Sequence, residues 1–231
     1  MSMSPRLLRP RATGFNVKAL SGLVYWLDAS QSSTITIGTG VSEWRDAAGG
    51  SIKATQAIGN NQPAYQTAAQ NGKNAVYFDG VNDSYTFGDM SANFPSAATA
   101  IFAFRPDTDT EYSLYTTRSN SEFWAYPTGR TYIGAFKTTR LNNVASPLMP
   151  TASAAVLAIT SSASAYRVYV GNTLAHDVAA DFSAGNNHLL GQNSLGSFYK
   201  GWLYEAIFSS SELPASTLTA VTNYLRSKWG I

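Results

Sequence analysis

The chain has 231 residues, 13% of them charged and 13% aromatic, with no cysteine and a formal net charge of +2. That length can bury a sizeable core, and all-β folds of this size are commonly one domain; the missing cysteines exclude disulfides, thiolate metal sites and cysteine nucleophiles. No run approaches the roughly 20 consecutive apolar residues that a membrane span needs.

Residues 1–20 read as an extended basic arm. Of the sixteen basic side chains, four (Arg6, Arg9, Arg11 and Lys18) fall here with no acid, leaving 12 against 14 acidic residues for the remainder. Pro5 and Pro10 disfavour a helix, and the stretch lacks the apolar core and small-residue cleavage site of a secretory signal. The arm reads either as a solvated tail or as a docking arm on a neighbouring subunit, with Arg6, Arg9 and Arg11 as the contacts. The body lacks the clustered Lys and Arg of a phosphate-tracking face, so nucleic acid is not an expected partner.

From residue 21 to 210 the signals are β. LVYWLDAS (23–30), NAVYFDG (74–80), TAIFAFRP (99–106), AAVLAITS (154–161), AYRVYVGN (165–172) and WLYEAIFS (202–209) are short runs of β-branched, aromatic and aliphatic residues. Most are bounded by Gly, Asn, Asp, Pro and Ser, the pattern of sandwiches and barrels. Within VYFDGVND (77–84), Asp79 and Asp83 raise the question of calcium, which takes six to eight oxygens. The preferred reading is a turn: Phe78 inward, Asp79 and Gly80 at the reversal, Asn82 and Asp83 accepting backbone hydrogen bonds. Neither metal nor cofactor is expected, and calcium at Asp79 and Asp83, helped by Asp28 and Asp46, is the lesser alternative.

The segment 112–143 concentrates aromatic and basic residues, and its candidate binding residues are Tyr112, Tyr115, Arg118, Trp124, Tyr126, Arg130 and Tyr132. Three readings stay open: alternating aromatics buried as core, a protein interface enriched in Tyr, Trp and Arg, or a glycan site that stacks sugar faces on rings. The two histidines, His176 and His188, lack neighbours at zinc-ligand spacing, and no Gly-x-Ser-x-Gly elbow occurs. The C-terminus, ELPASTLTAVTNYLRSKWGI, predicts one helix, with Pro214 in the first turn, an apolar stripe of Leu218, Val221, Leu225 and Trp229, and Gly230 as the stop.

Taken together, LVYWLDAS, VSEWRDAAGG, NQPAY, NAVYFDGVNDSYTFG and GWLYEAIFSSSELPASTLTAVTNYLRSKWG resemble, in order and spacing, the laminin-G-like, concanavalin-type jelly-roll family, especially versions in bacteriophage virion proteins and bacterial surface proteins. The resemblance covers about residues 20–230. It implies an all-β fold, a two-sheet antiparallel sandwich over residues 21–231, with the N-terminal arm and one C-terminal helix. SPRLLRPRATGF is similar to leaders ahead of this domain in phage proteins.

Glucanase relatives of this family carry alternating acids on one strand as Glu-x-Asp-x-x-Glu. Here Glu43, Glu111, Glu122, Glu205 and Glu212 are solitary, no catalytic residue is assigned, and the chain is expected not to be an enzyme. The resemblance implies a virion surface protein, in capsid decoration or tail and fibre, assembled in a bacterial cytoplasm and held by its arm to other virion subunits. Oligomerisation and adhesion to host polysaccharide are part of that expectation, and membrane association is not. A lectin-like carbohydrate-binding module is the alternative, and a glycoside hydrolase a remote third.

Overall fold

The computed structural model describes residues 14–107, 112–118, 121–125, 130–145, 152–179 and 181–231. In chain order the described strands are β1 (Leu23–Asp28), β2 (Ile35–Ile37), β3 (Val41–Arg45), β4 (Lys53–Thr55), β5 (Ala64–Gln70), β6 (Lys73–Asp79), β7 (Tyr85–Gly88), β8 (Ala97–Pro106) and β9 (Tyr112–Arg118). They continue with β10 (Ser121–Ala125), β11 (Arg130–Ile133), β12 (Leu141–Ala145), β13 (Ala155–Ser162), β14 (Tyr166–Val170), β15 (Thr173–Val178), β16 (His188–Leu190) and β17 (Lys200–Ser209), ahead of the helix α1 (Ala215–Trp229). Two antiparallel sheets result. An eight-stranded sheet runs β15-β14-β13-β8-β17-β6-β5 with β1 paired to β17, and a nine-stranded sheet runs β12-β11-β10-β9-β16-β7-β4-β3-β2. This is the expected jelly-roll sandwich with its C-terminal helix, and each of the six apolar runs forms a strand.

The strongest sequence runs lie where a strand is covered on both faces. β8 and β17 are neighbours inside the eight-stranded sheet, and Ala98 to Phe104 of β8 are all fully buried. Their inner face meets the other sheet, while α1 packs on the outer side against β8 and β13. A strand covered twice needs apolar residues at successive positions, so its sequence reads as a continuous run. Between the sheets, Phe208 stacks on Tyr25 at 4.1 Å and meets Phe102 at 5.4 Å and Tyr115 at 5.0 Å. Burying each such ring stabilises the fold by about 1.5 to 3 kcal/mol.

α1 follows its sequence signals. Pro214 precedes it, Leu218, Val221, Leu225 and Trp229 are buried, and Gly230 adopts φ 67° while its N–H bonds to the Arg226 carbonyl at 2.8 Å. That left-handed cap suits glycine, which lacks a Cβ to clash. One expectation changes. Residues 17–20, assigned to the arm, form part of the sandwich: a 3-10 turn spans Val17–Ala19, with Val17 and Leu20 buried against the core. Their aliphatic side chains gain more from burial than an extended arm would. Lys228, in the last turn of α1, turns inward to Asp28 and Glu205.

Candidate functional site

Alternation on β4 and β7 sends one set of side chains into the core and the other to solvent, and on β3 a register irregularity opposite Thr36 and Ile37 lets Val41 and Trp44 both face inward while Ser42 and Glu43 lie between them, half-buried. Val41, Trp44, Ala54 and Tyr85 are buried, and Phe87 packs on Tyr25 and Phe208. The opposite positions are polar. Register pairs Thr36 with Glu43, Glu43 with Thr55, and Thr55 with Thr86, so one row of hydroxyl and carboxylate groups crosses β2, β3, β4 and β7 on the outer face of the nine-stranded sheet.

A second row lies beside the first, towards the end of the sandwich. The Gln56 N–H bonds to the Ser42 carbonyl at 2.9 Å, and its side-chain amide donates to the Ser84 carbonyl at 2.9 Å. The two rows, with Ala57, Ile58, Tyr85 and Gln192, line a groove of about 520 Å³. Ile58 stands at its rim, 61% exposed, with its N–H held by Gln56 Oε1 at 3.0 Å. Glu43 is the single charged residue in the lining among the described residues. Its carboxylate is bonded to Lys53 at 2.5 Å and to Arg45 at 3.3 Å, and the Lys53 hydrogen bond holds it below the ordinary carboxylate range. Among the described residues the groove therefore offers hydroxyls, amides and one ionised acceptor, and the one aromatic in its lining, Tyr85, is buried and presents no ring face.

This site was not singled out from sequence. Its signal is the alternation in IKATQ and SYTFG, which marks Thr55 and Thr86 as outward, and the polar pair Ser42 and Glu43 between the apolar Val41 and Trp44. What brings them into one row is the cross-strand register, set by tertiary pairing.

The residues that were singled out separate. Tyr115, offered as a binding residue, is fully buried between the sheets. Its hydroxyl bonds to His188 Nδ1 at 2.6 Å and lies 3.4 Å from that of Tyr25, which leaves it no part in surface contact; its strand position faces the core. Phe136 is likewise buried beside Phe94. Tyr126 and the side chains of Tyr112, Arg118, Trp124, Arg130 and Tyr132 lie outside the described residues, as do Arg6, Arg9 and Arg11.

At the turn after β6, Phe78 points inward as expected. Asp79 Oδ1 accepts the N–H groups of Val81 at 2.8 Å and Asn82 at 3.3 Å, and Asp83 Oδ2 accepts that of Asp79 at 2.9 Å. Asn82 differs from expectation, because its side-chain oxygen is buried without a partner. Burial pushes the Asp83 carboxyl up to about 6. Asp46, considered beside it for calcium, accepts from Trp26, Ala48 and Gly50 instead. Glu205 joins β17 to β1 and α1, taking hydrogen bonds from Trp26, Tyr224, Lys228 and Trp229.

No protein-family model matches the chain, and no curated protein matches it in sequence. Solved structures share its fold. Trypanosoma rangeli sialidase in complex with the inhibitor DANA superposes with a TM-score of 0.64 at 13% identity, over 88% of this chain and 33% of the sialidase. A mutant of the same sialidase displaying trans-sialidase activity gives 0.64 at 12% identity, over 90% and 33%. Domain 4 of AbnA, a GH43 extracellular arabinanase from Geobacillus stearothermophilus, in complex with arabinotriose, gives 0.61 at 15% identity, over 87% of this chain and 98% of that domain. The chain thus spans about one third of the sialidases and the whole of the arabinanase domain.

At these identities the likeness is one of fold. It corrects the expectation that the chain is not an enzyme: the same sandwich occurs within sialidases and an arabinanase. The missing Glu-x-Asp-x-x-Glu strand excludes one glucanase arrangement and not glycoside chemistry as a class.

Proposed function

We propose that this chain is a carbohydrate-binding β-sandwich module whose site is the groove on the outer face of the nine-stranded sheet. The observation that carries the reading is the register-locked row Thr36, Glu43, Thr55 and Thr86 beside Ser42, Gln56 and Ser84. Sugars are recognised by directed hydrogen bonds to their hydroxyls, and a concave lining of fixed hydroxyl, amide and carboxylate groups supplies them. Support also comes from the arabinanase domain of matching extent, whose structure contains arabinotriose.

The test is calorimetric titration of the intact chain with arabinotriose and a panel of other oligosaccharides, repeated on Thr55→Val with Thr86→Val. Saturable binding to at least one sugar, lost in the double variant while the melting temperature holds, supports the module. Binding that survives the double variant unchanged would place the site elsewhere, and no binding across the panel would end the reading.

A virion setting for such a module, with host polysaccharide as ligand and other virion subunits as partners, draws its support from the sequence resemblance and its leader. On that proposal Arg6, Arg9 and Arg11 hold the chain to the particle. Deleting residues 1–12 should then abolish particle association while leaving the fold intact, and unchanged association would overturn it.

A further inference from the structure

We infer that the groove selects an uncharged, linear glycan laid across the strands, with Ile58 as its apolar contact; this rests on the carbohydrate-binding reading. Direction comes first. The row from Thr36 through Glu43 and Thr55 to Thr86 steps across four strands, and three inter-strand spacings are about 14 Å, room for roughly three sugar rings end to end. Ser42, Gln56 and Ser84 run parallel to it. A ligand that keeps both rows in reach must itself run across the strands, as a linear chain does and a branched cluster does not.

Charge then selects among linear chains. Among the described residues no Lys or Arg lines the groove. Arg45 on β3 and Lys53 on β4 are both paired to Glu43. A glycan bearing carboxylates, such as a polyuronate or a sialylated chain, would meet a lining carboxylate held in its ionised form, and the described lining residues supply no cation to offset the repulsion. Like-charge juxtaposition of this kind acts as a filter. A neutral sugar instead donates a hydroxyl proton to Glu43, a charge-assisted hydrogen bond. The class of ligand therefore does not follow the sialidase likeness, which is one of fold.

The apolar contact completes the assignment. Sugar rings carry C–H faces that seek apolar surface, commonly an aromatic ring, but Trp44 and Tyr85 are buried and Phe87 packs inward. Ile58 is the large apolar side chain at the rim and is 61% exposed, so truncating it removes ligand contact without opening the core.

The experiment compares neutral and acidic trisaccharides of matched length, arabinotriose or cellotriose against trigalacturonate, by titration calorimetry with wild type, Ile58→Ser and Glu43→Gln. Wild type should bind a neutral trisaccharide at least about tenfold more tightly than the acidic one. Ile58→Ser should weaken neutral binding by about threefold or more with an unchanged melting temperature. Glu43→Gln should narrow the gap, because it removes the repelling carboxylate and releases Arg45 and Lys53. Equal or tighter binding of trigalacturonate by wild type would overturn the inference while leaving carbohydrate binding intact, as would neutral binding that neither variant changes. Failure of every sugar to bind would remove the underlying reading as well.

Discussion

Trp26 on β1 donates its indole N–H to Glu205 on β17 at 2.7 Å, across 179 residues of sequence. The same carboxylate accepts from Trp229 at 2.9 Å and Lys228 at 2.7 Å, and Lys228 also lies 2.7 Å from Asp28. Lys228 is thus enclosed by two carboxylates and by the rings of Trp26, Tyr224 and Trp229, at 5.2 to 5.7 Å from their centroids. One buried polar cluster fastens the helix and the first strand to the centre of the eight-stranded sheet.

Lys228→Met should therefore destabilise the fold by about 3 to 5 kcal/mol, since it leaves Glu205 and Asp28 buried without their cation. Adding Glu205→Gln should recover part of that loss. Urea denaturation of the two single variants and the double variant measures it; additive effects would show that the three groups do not act as one cluster.

pH dependence separates two buried groups. Burial lowers the His188 imidazole to about 4, below its unfolded value of about 6.5. The unfolded chain binds the proton first, so the stability tied to neutral His188 is complete above 6.5 and is lost as pH falls towards 4, by about 3 kcal/mol. Asp83, raised to about 6, has the opposite sign: its contribution is complete below about 3.8 and is lost as pH rises through 6. The two oppose each other across the same window. Asp83→Asn should unmask a stability that climbs from pH 4 to 6.5, and His188→Asn should unmask a decline from pH 4 to 6. Chemical denaturation at half-unit pH steps reads both slopes; unchanged curves in either variant would refute the assignment.

Asp79→Ala should cost about 1 to 2 kcal/mol, because the N–H groups of Val81 and Asn82 lose their acceptor. Asp79→Asn, which keeps an acceptor oxygen, should cost less. Added calcium should leave the melting temperature of wild type where it was; a rise of several degrees that Asp79→Ala abolishes would identify a metal site instead.

Gly201 tests the pairing of the central strands. It sits in β17 at φ 144°, and a Cβ there would lie 2.3 Å from the Arg105 carbonyl oxygen on β8. Gly201→Ala should cost about 3 kcal/mol or more, since backbone of a paired strand must shift to admit a methyl group. A change in denaturation midpoint corresponding to less than about 1 kcal/mol would mean that the two strands separate more easily than their register implies.

Sequence alone determined the sandwich and its helix. Runs such as TAIFAFRP and WLYEAIFS are apolar at successive positions because both their faces are covered, and Pro214, the Leu218 to Trp229 stripe and Gly230 state a helix with its ends. Local chemistry was legible too: Asp79 and Asp83 could be read as turn acceptors because their partners lie within four residues. The groove was decided by tertiary structure. Thr36, Glu43, Thr55 and Thr86 are ordinary outward residues of short polar strands, and no local pattern says that they stand side by side. Register between β2, β3, β4 and β7 does that, and register follows from burying Trp44, Ala54 and Tyr85 on the other face, since a slip of one residue would exchange the two faces. The same logic turned Tyr115 inward and drew Lys228 under three rings: composition shows an aromatic or a lysine, but which side of the sheet receives it depends on the elements packed against it.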